Sequence, residues 1–330
     1  MKLCMSTTCK QVQPLVNFQE RLNLKSFFHR KDKVIFVMGA TGTGKSRLAI
    51  DLANQIPAEI VNSDKIQAYK GLDIVTNKVT EEECRGVPHH LIGTIDQNSN
   101  FTATDFRSHA SLACESIVGR GRLPIIAGGS NSYIEALVNE DPEFPLRYEC
   151  CFLWVDVSLP VLNSFVSERV DKMVKAGFVS EVRKMFKPNA DYSRGIRRAI
   201  GVPEMDDYLR NEKIVDEEAR ARLLGAAIAT IKENTCMLAY RQLQKIHRLH
   251  NQWLWNMHRI DATEVFLKSG EEAEEAWEKQ VVRPSTMIVE QFLDEEEYMR
   301  SIVSPDTVAA ITAGSGAKSV PVAAVAAASL

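Results

Sequence analysis

The chain has 330 residues, of which 45% are apolar and 25% charged, enough for one large core or two modest ones and unlike a disordered or fibrous protein. Forty Lys and Arg against 43 Asp and Glu leave a formal charge of -3, without the basic surplus usual in proteins that grip a phosphate backbone. No apolar run approaches the roughly 18 residues of a membrane helix, and seven cysteines without a C-x-x-C pair argue against a paired-cysteine zinc site and for a reducing compartment.

Residues 1–32 carry six basic residues against Glu20 and Asp32, with Ser6, Thr7, Thr8 and Ser26 and no continuous apolar stretch. They read either as an organelle transit peptide or as a disordered leader. Residues 33–160 alternate strand and helix signals. Val34–Met38 is a continuous apolar run closed by Gly39, the pattern of a central strand buried on both faces of a parallel sheet. Leu48, Ala49, Leu52 and Ala53 follow at helical spacing until Pro57. Ala58–Val61, His90–Ile95, Pro124–Ala127 and Cys151–Val157 read as further strands. Thr102 and Asp105 open a helix to Gly119, and Asn131–Val138 forms another.

After Val157 only helical spacing continues. Leu162–Ala176 and Val179–Phe186 belong to a helical insert over 161–215, interrupted by Pro188 and by Gly195–Pro203. Glu217–Leu249 and a short strand at Trp255–Ile260 return to the core within 216–265. Residues 266–330 read as an acidic helical extension, with eleven acids against four bases over 264–300, and then a mobile tail of small residues. The pattern predicts an α/β fold, a parallel sheet flanked by helices, with a helical insert.

Gly39-Ala40-Thr41-Gly42-Thr43-Gly44-Lys45-Ser46 fits G-x-x-x-x-G-K-[ST] between a buried strand and a helix. There the backbone amides can curl round a diphosphate, the helix N-terminus and Lys45 supply positive charge, and Ser46 can hold Mg²⁺. The loop implies diphosphate binding rather than ATP hydrolysis. Ligands collect at the carboxyl ends of parallel strands, where Asp64, Gly128-Gly129-Ser130 and Asp156 also fall. Asp64 is either a proton acceptor or magnesium ligand, or a helix N-cap. Gly128-Gly129 allows either close approach to a ligand or a tight turn capped by Ser130. Arg183, Lys184, Lys187, Arg194, Arg197 and Arg198 form either a phosphate clamp or a solvated helix face. His89-His90 reads as a hydrogen-bonded pair rather than a metal site. Cys150-Cys151, Trp253 and Trp255 read as core, the tryptophans alternatively as a pocket wall.

Several stretches taken together resemble the isopentenyltransferase family, which moves a dimethylallyl group onto N6 of adenine. They are Gly39–Ser46, Ile60–Gln67, Tyr69–Ile74, Pro88–Leu91, Phe101–Phe106, Pro124–Tyr133, Glu168–Met173, Gly195–Gly201 and Ile231–Gln242, in order over roughly 33–265. The wording NSDKIQ, GLDIVTNKV and GIRRAIGVPE is similar to the plant adenylate branch, which makes cytokinin precursors. The resemblance implies a P-loop NTPase-like fold turned to prenyl transfer. It implies Asp64 as the base, with Lys45, the loop amides and Mg²⁺ on Ser46 holding the leaving diphosphate. It further implies Ser130 orienting N6 or the diphosphate, Arg241 on the diphosphate, and Arg197 and Arg198 on the nucleotide phosphates. The implied substrates are dimethylallyl diphosphate and free ATP or ADP, with AMP less favoured. A tRNA acceptor is disfavoured because no cysteine follows Cys236 to build a C-terminal zinc finger. A plastid address is implied, with the cytoplasm as the alternative. A tRNA dimethylallyltransferase and a small-molecule P-loop kinase are the competing expectations.

Overall fold

The computed structural model describes residues 31–253 and 255–302; the expected leader, apart from Lys31 and Asp32, and the tail expected after Ser304 lie outside them. Six parallel strands form one sheet: β1 (Asp32–Met38), β2 (Ala58–Asn62), β3 (His89–His90), β4 (Leu123–Ala127), β5 (Tyr148–Asp156) and β6 (Met257–Asp261), in the order β3-β2-β4-β1-β5-β6. The continuous apolar run of β1 has its physical reason here. Val34, Phe36 and Met38 enter the core on one sheet face, while Ile35 and Val37 enter the core on the other. In β5, Phe152 and Trp154 likewise face away from Cys151, Leu153 and Val155.

The flanking helices are α1 (Lys45–Gln55), α2 (Glu81–Cys84), α3 (Ala103–Gly119), α4 (Asn131–Asn139) and α5 (Phe144–Arg147). The expected Thr102–Asp105 capping box opens α3, each side chain bonding the other's backbone N–H. Strand β3 is shorter than the expected His90–Ile95. Leu91 (φ 62°) and Gly93 (φ 60°) turn the backbone out of extension, so Gly93 and Ile95 donate to Gln67 and Ala68 instead of continuing the ladder. The histidines serve structure: His89 Nδ1 lies 2.8 Å from Val87 O, and His90 Nε2 lies 2.6 Å from buried Glu59.

Beyond β5 come α6 (Leu159–Lys175), α7 (Phe178–Met185), α8 (Asp206–Asn211) and α9 (Glu217–Gln252). Helix α6 starts before Leu162 because Pro160 fits the first turn, where its missing N–H has no partner to lose. Helix α9 has 36 residues, capped by Asp216, whose carboxylate accepts from Ala219 N at 2.7 Å. At a rise of 1.5 Å per residue it spans about 54 Å. Its first half buries Ala227 and Ile231 in the same cluster as Phe178, Val182, Met205 and Tyr208, and its second half buries Ile246 and Leu249 against the sheet. Trp255 is core, stacked on Phe152 with ring centroids 4.6 Å apart, whereas Trp253 is exposed. After β6, α10 (Gly270–Trp277), a π-helical turn at Glu278–Val282 and α11 (Arg283–Ile302) carry the acidic stretch. This stretch packs on the core: Ala276, Trp277, Val281, Val282 and Val289 are buried with Leu48 and Leu52 of α1. Among the described residues no helix is long and apolar enough to cross a membrane.

Candidate active site

The loop between β1 and α1 folds as its motif requires. Thr43 Oγ1 and Lys45 Nζ donate to Ala40 O at 3.0 and 2.5 Å, which draws the loop into a closed turn. Lys45 is buried, and burial pulls its pKa down to about 8, against the opposing pull of the Asp64 carboxylate. Ser46 is exposed in the first turn of α1.

Asp64 follows the carboxyl end of β2, where Asn62 fixes the backbone. Asn62 Oδ1 accepts from Asp64 N, and its Nδ2 donates to Asp64 O and Leu91 O, all at 3.0 Å. Asp64 Oδ1 accepts from Ile66 N at 2.9 Å and from Gln67 N at 3.4 Å, so it caps a turn; the helix expected after it does not form. No described residue donates a hydrogen bond to its Oδ2, which faces the Gly129 turn. One carboxylate oxygen is thus engaged by the turn and the other is left without a donor among the described residues.

Ser130 does not cap α4. Its hydroxyl accepts from Lys65 N at 2.8 Å and ties the turn after Asp64 to the loop after β4. Gly128-Gly129 permits a close approach within the protein. A Cβ on Gly128 would lie 2.5 Å from the Ser63 backbone, and one on Gly129 would lie 2.4 Å from Gln242 Nε2.

Two residues join the site that the motif reading passed over. Gln242 of α9 accepts from Thr41 N at 2.7 Å and donates to Gly129 O at 2.9 Å, bridging the phosphate loop to the β4–α4 loop. Arg169 of α6 donates to Thr41 Oγ1 at 2.9 Å. Burial lowers its pKa and the Asp64 carboxylate opposes this, while its buried Nε has no partner among the described residues. Both carried a signal in the sequence. Arg169 falls on the apolar stripe Leu162, Val166, Val170, and Gln242 on the stripe Thr235, Ala239, Ile246, Leu249. A polar side chain on a buried stripe needs a polar destination.

Arg241, by contrast, is exposed and makes no hydrogen bond or ion pair among the described residues. Arg198 donates to Tyr69 OH at 3.2 Å, and Arg197 to Asn98 Oδ1 at 2.7 Å; neither pairs with a carboxylate among the described residues. Burial and nearby Arg198 lower the pKa of Lys65. Arg183 and Arg194 behave as surface residues, paired with Glu212 and Asp191. Asp156 is paired with Arg259 at 2.7 Å. The cavity of about 590 Å³ between α6 and α9, which Cys236 and Tyr240 help to line, is lined by none of the site residues. The glycine-rich loop, a carboxylate whose Oδ2 has no donor among the described residues, and the cations Lys45 and Arg169 are thus brought together.

A family model described as IPP transferase matches residues 67–145 and 139–249. Adenylate isopentenyltransferase 5, chloroplastic, of Arabidopsis thaliana is 67% identical over 89% of this chain and 90% of its own length. Adenylate isopentenyltransferase 7, mitochondrial, of the same plant is 58% identical over 91% of this chain and 93% of its own. An adenylate isopentenyltransferase of Humulus lupulus is 46% identical over 78% and 90%. Among solved structures, a eukaryotic dimethylallyltransferase acting on tRNA superposes with a TM-score of 0.68 at 22% identity, over 80% of each chain. A tRNA isopentenylpyrophosphate transferase of Bacillus halodurans gives 0.63 at 25% identity, over 81% of this chain and all of that one. The P-loop NTPase-like fold is common to these neighbours and this chain.

Proposed function

This chain belongs to the IPP transferase family, and on that premise we propose how its cleft carries out the transfer. The reaction moves the dimethylallyl group of dimethylallyl diphosphate to N6 of a free adenine nucleotide and releases diphosphate, a step of cytokinin synthesis. The kinase alternative falls with that membership. The bond from the allylic carbon to the diphosphate oxygen breaks, its electron pair leaving with the diphosphate. The bond from that carbon to N6 forms, and N6 gives up one proton. Asp64 Oδ2 accepts that proton, because it is the carboxylate oxygen at the cleft with no donor of its own. Lys45, the loop amides after Thr41 and the unpartnered Nε of Arg169 stabilise the negative charge that grows on the leaving group. Ser130 acts by holding the Lys65 backbone, and so keeps the turn that aims Asp64. Arg241 on the diphosphate rests on the family resemblance alone.

The donor set suits magnesium. A hydroxyl at Ser46 beside a diphosphate cradle fits a cation that keeps most of its waters and takes the rest of its ligands from substrate phosphates. Bound there, it would supply charge neutralisation for the diphosphate. ATP and ADP are favoured over AMP, because Lys65, Arg197 and Arg198 lack carboxylate partners among the described residues and suit a longer phosphate chain. We assign the protein to the plastid, on the chloroplastic names of relatives and the basic start of the chain, although one close relative is named mitochondrial.

The observation that carries the mechanism is the free Oδ2 of Asp64 beside the cradle. The test is mass spectrometry of one reaction holding dimethylallyl diphosphate, Mg²⁺ and equal AMP, ADP and ATP. A dimethylallyl mass on ADP and ATP ahead of AMP is expected. Absence of any prenylated nucleotide would overturn the assignment, and AMP in the lead would overturn the order. Residues 1–40 fused to a fluorescent protein should direct it to plastids, and retention in the cytosol would remove that assignment.

A further inference from the structure

The acidic stretch after β6 reaches the phosphate loop through one side chain. Gly44, the last loop residue before α1, adopts a left-handed conformation (φ 89°, ψ 12°). A Cβ built on it would lie 2.6 Å from Cη2 and 2.8 Å from Cζ3 of Trp277, so the indole occupies the space where a side chain would stand. Trp277 is 3% exposed, and two contacts, one of them braced by an ion pair, fix its plane. Its Nε1 donates to Asp51 Oδ2 at 2.8 Å, the Arg47 guanidinium stacks 4.6 Å from a ring centroid, and Arg47 in turn pairs with Glu274 of α10. Asp51 is itself anchored by Arg85. The π-helical turn that follows sets Val281 and Val282 into the core shared with α1.

Glycine is the residue with the widest backbone freedom, and Gly44 sits where the loop amides must converge on the diphosphate. Ordering such a segment only when ligand arrives costs affinity. An aromatic ring wedged against it, anchored to α1 itself, orders it beforehand. We propose that Trp277 is a positioning residue of the diphosphate cradle, through which the C-terminal helices hold Gly44 and the start of α1 in the binding conformation. The inference rests on the reading that Gly39–Ser46 receives the donor's diphosphate.

The test uses the full chain and four variants: Trp277→Leu, Trp277→Phe, Val289→Ala and Lys45→Ala. For each, KM for dimethylallyl diphosphate, KM for ATP, the inhibition constant of inorganic pyrophosphate with Mg²⁺, and Tm are measured. Trp277→Leu should raise the donor KM and the pyrophosphate constant together by about 5- to 20-fold, with KM for ATP within about twofold. Trp277→Phe, which keeps a ring against Gly44, should recover most of that loss. Val289 is buried in the same cluster, farther along in α11, so Val289→Ala should lower Tm without moving the pyrophosphate constant. An unchanged pyrophosphate constant in Trp277→Leu, or an equal shift in Val289→Ala, would overturn the proposal. Lys45→Ala separates the two readings. If it weakens pyrophosphate and Trp277→Leu does not, the Trp277 role alone fails; if neither does, the cradle reading fails as well. Should Trp277→Leu not fold, fluorescence decides. Pyrophosphate should change the tryptophan emission of the unmodified chain and not that of Trp277→Phe, and no change in the unmodified chain would sink the idea.

Discussion

At Asp64 the turn-capping bonds and the proposed base role do not compete, because the side chain has two oxygens. Oδ1 holds the 65–67 turn, and Oδ2 has no donor among the described residues, which leaves it open to the role proposed on N6. Asp64→Asn keeps an acceptor for the turn and loses the base, so Tm should barely change while kcat falls about 10²- to 10⁴-fold. A loss confined to KM would make Asp64 a binding residue instead. Lys45 gives a pH dependence with a definite sign. Burial lowers its pKa to about 8, so the free protein loses the ammonium as pH rises through that value. A bound diphosphate favours the charged form, so donor affinity should be flat in this group below about 8 and fall above it. The kcat/KM for dimethylallyl diphosphate, measured from pH 6.5 to 10, should drop about tenfold per unit on the alkaline side, and Lys45→Arg should abolish that limb. A profile level to pH 10 in the unmodified protein would remove Lys45 from donor binding. Lys45 and Asp64 could be read from sequence because each lies in a local pattern tied to a strand end. Arg169 and Gln242 could not be assigned so, because they meet Thr41 across 128 and 201 residues of chain.

Among the elements, α9 couples the part of the chain around α7 and α8 to the sheet, and Gln242 is where that coupling touches the loop. Gln242→Ala removes an acceptor from Thr41 N and a donor from Gly129 O, freeing two loops at once. Kcat/KM for the donor should fall about 10- to 100-fold, since small misplacements near reacting groups are costly. Gln242→Glu keeps the bond from Thr41 but sets a carboxylate against Gly129 O, so it should not restore activity; full activity in either variant would show that the bridge is dispensable. The alternation of β1 to β5 was readable in the sequence because buried parallel strands are short apolar runs closed by turn residues. The end of β3 was not, since Leu91 adopts a positive φ that no local signal marks. The docking of residues 270–294 was not readable either. Its buried residues Trp277, Val281, Val282 and Val289 straddle a π-helical turn, which breaks the 3.6-residue period on which a helical face is recognised.

For the whole molecule, fold and acceptor are separate questions, since the solved neighbours act on tRNA while sharing this architecture. Charge argues for the small acceptor. The formal total is -3, and the exposed Glu271, Glu272, Glu274 and Glu275 stand on α10, the helix that ends at Trp277 beside the phosphate loop. A polyanion approaching that side would be repelled over a Debye length of about 8 Å at physiological salt, and its binding would depend on releasing counterions from a basic surface. A free nucleotide needs only a few cations, the role proposed above for Lys65 and Arg198. With dimethylallyl diphosphate at 150 mM salt, undermodified tRNA should therefore be prenylated at least about 100-fold more slowly than ATP at equal concentration. Nucleoside mass analysis of both acceptors from one reaction measures the ratio. Reversal of four α10 glutamates to lysine should raise tRNA binding in a salt-sensitive way without raising the rate on ATP. A rate on unmodified tRNA equal to that on ATP would mean that the acidic face does not govern access, and that acceptor choice lies within the cleft.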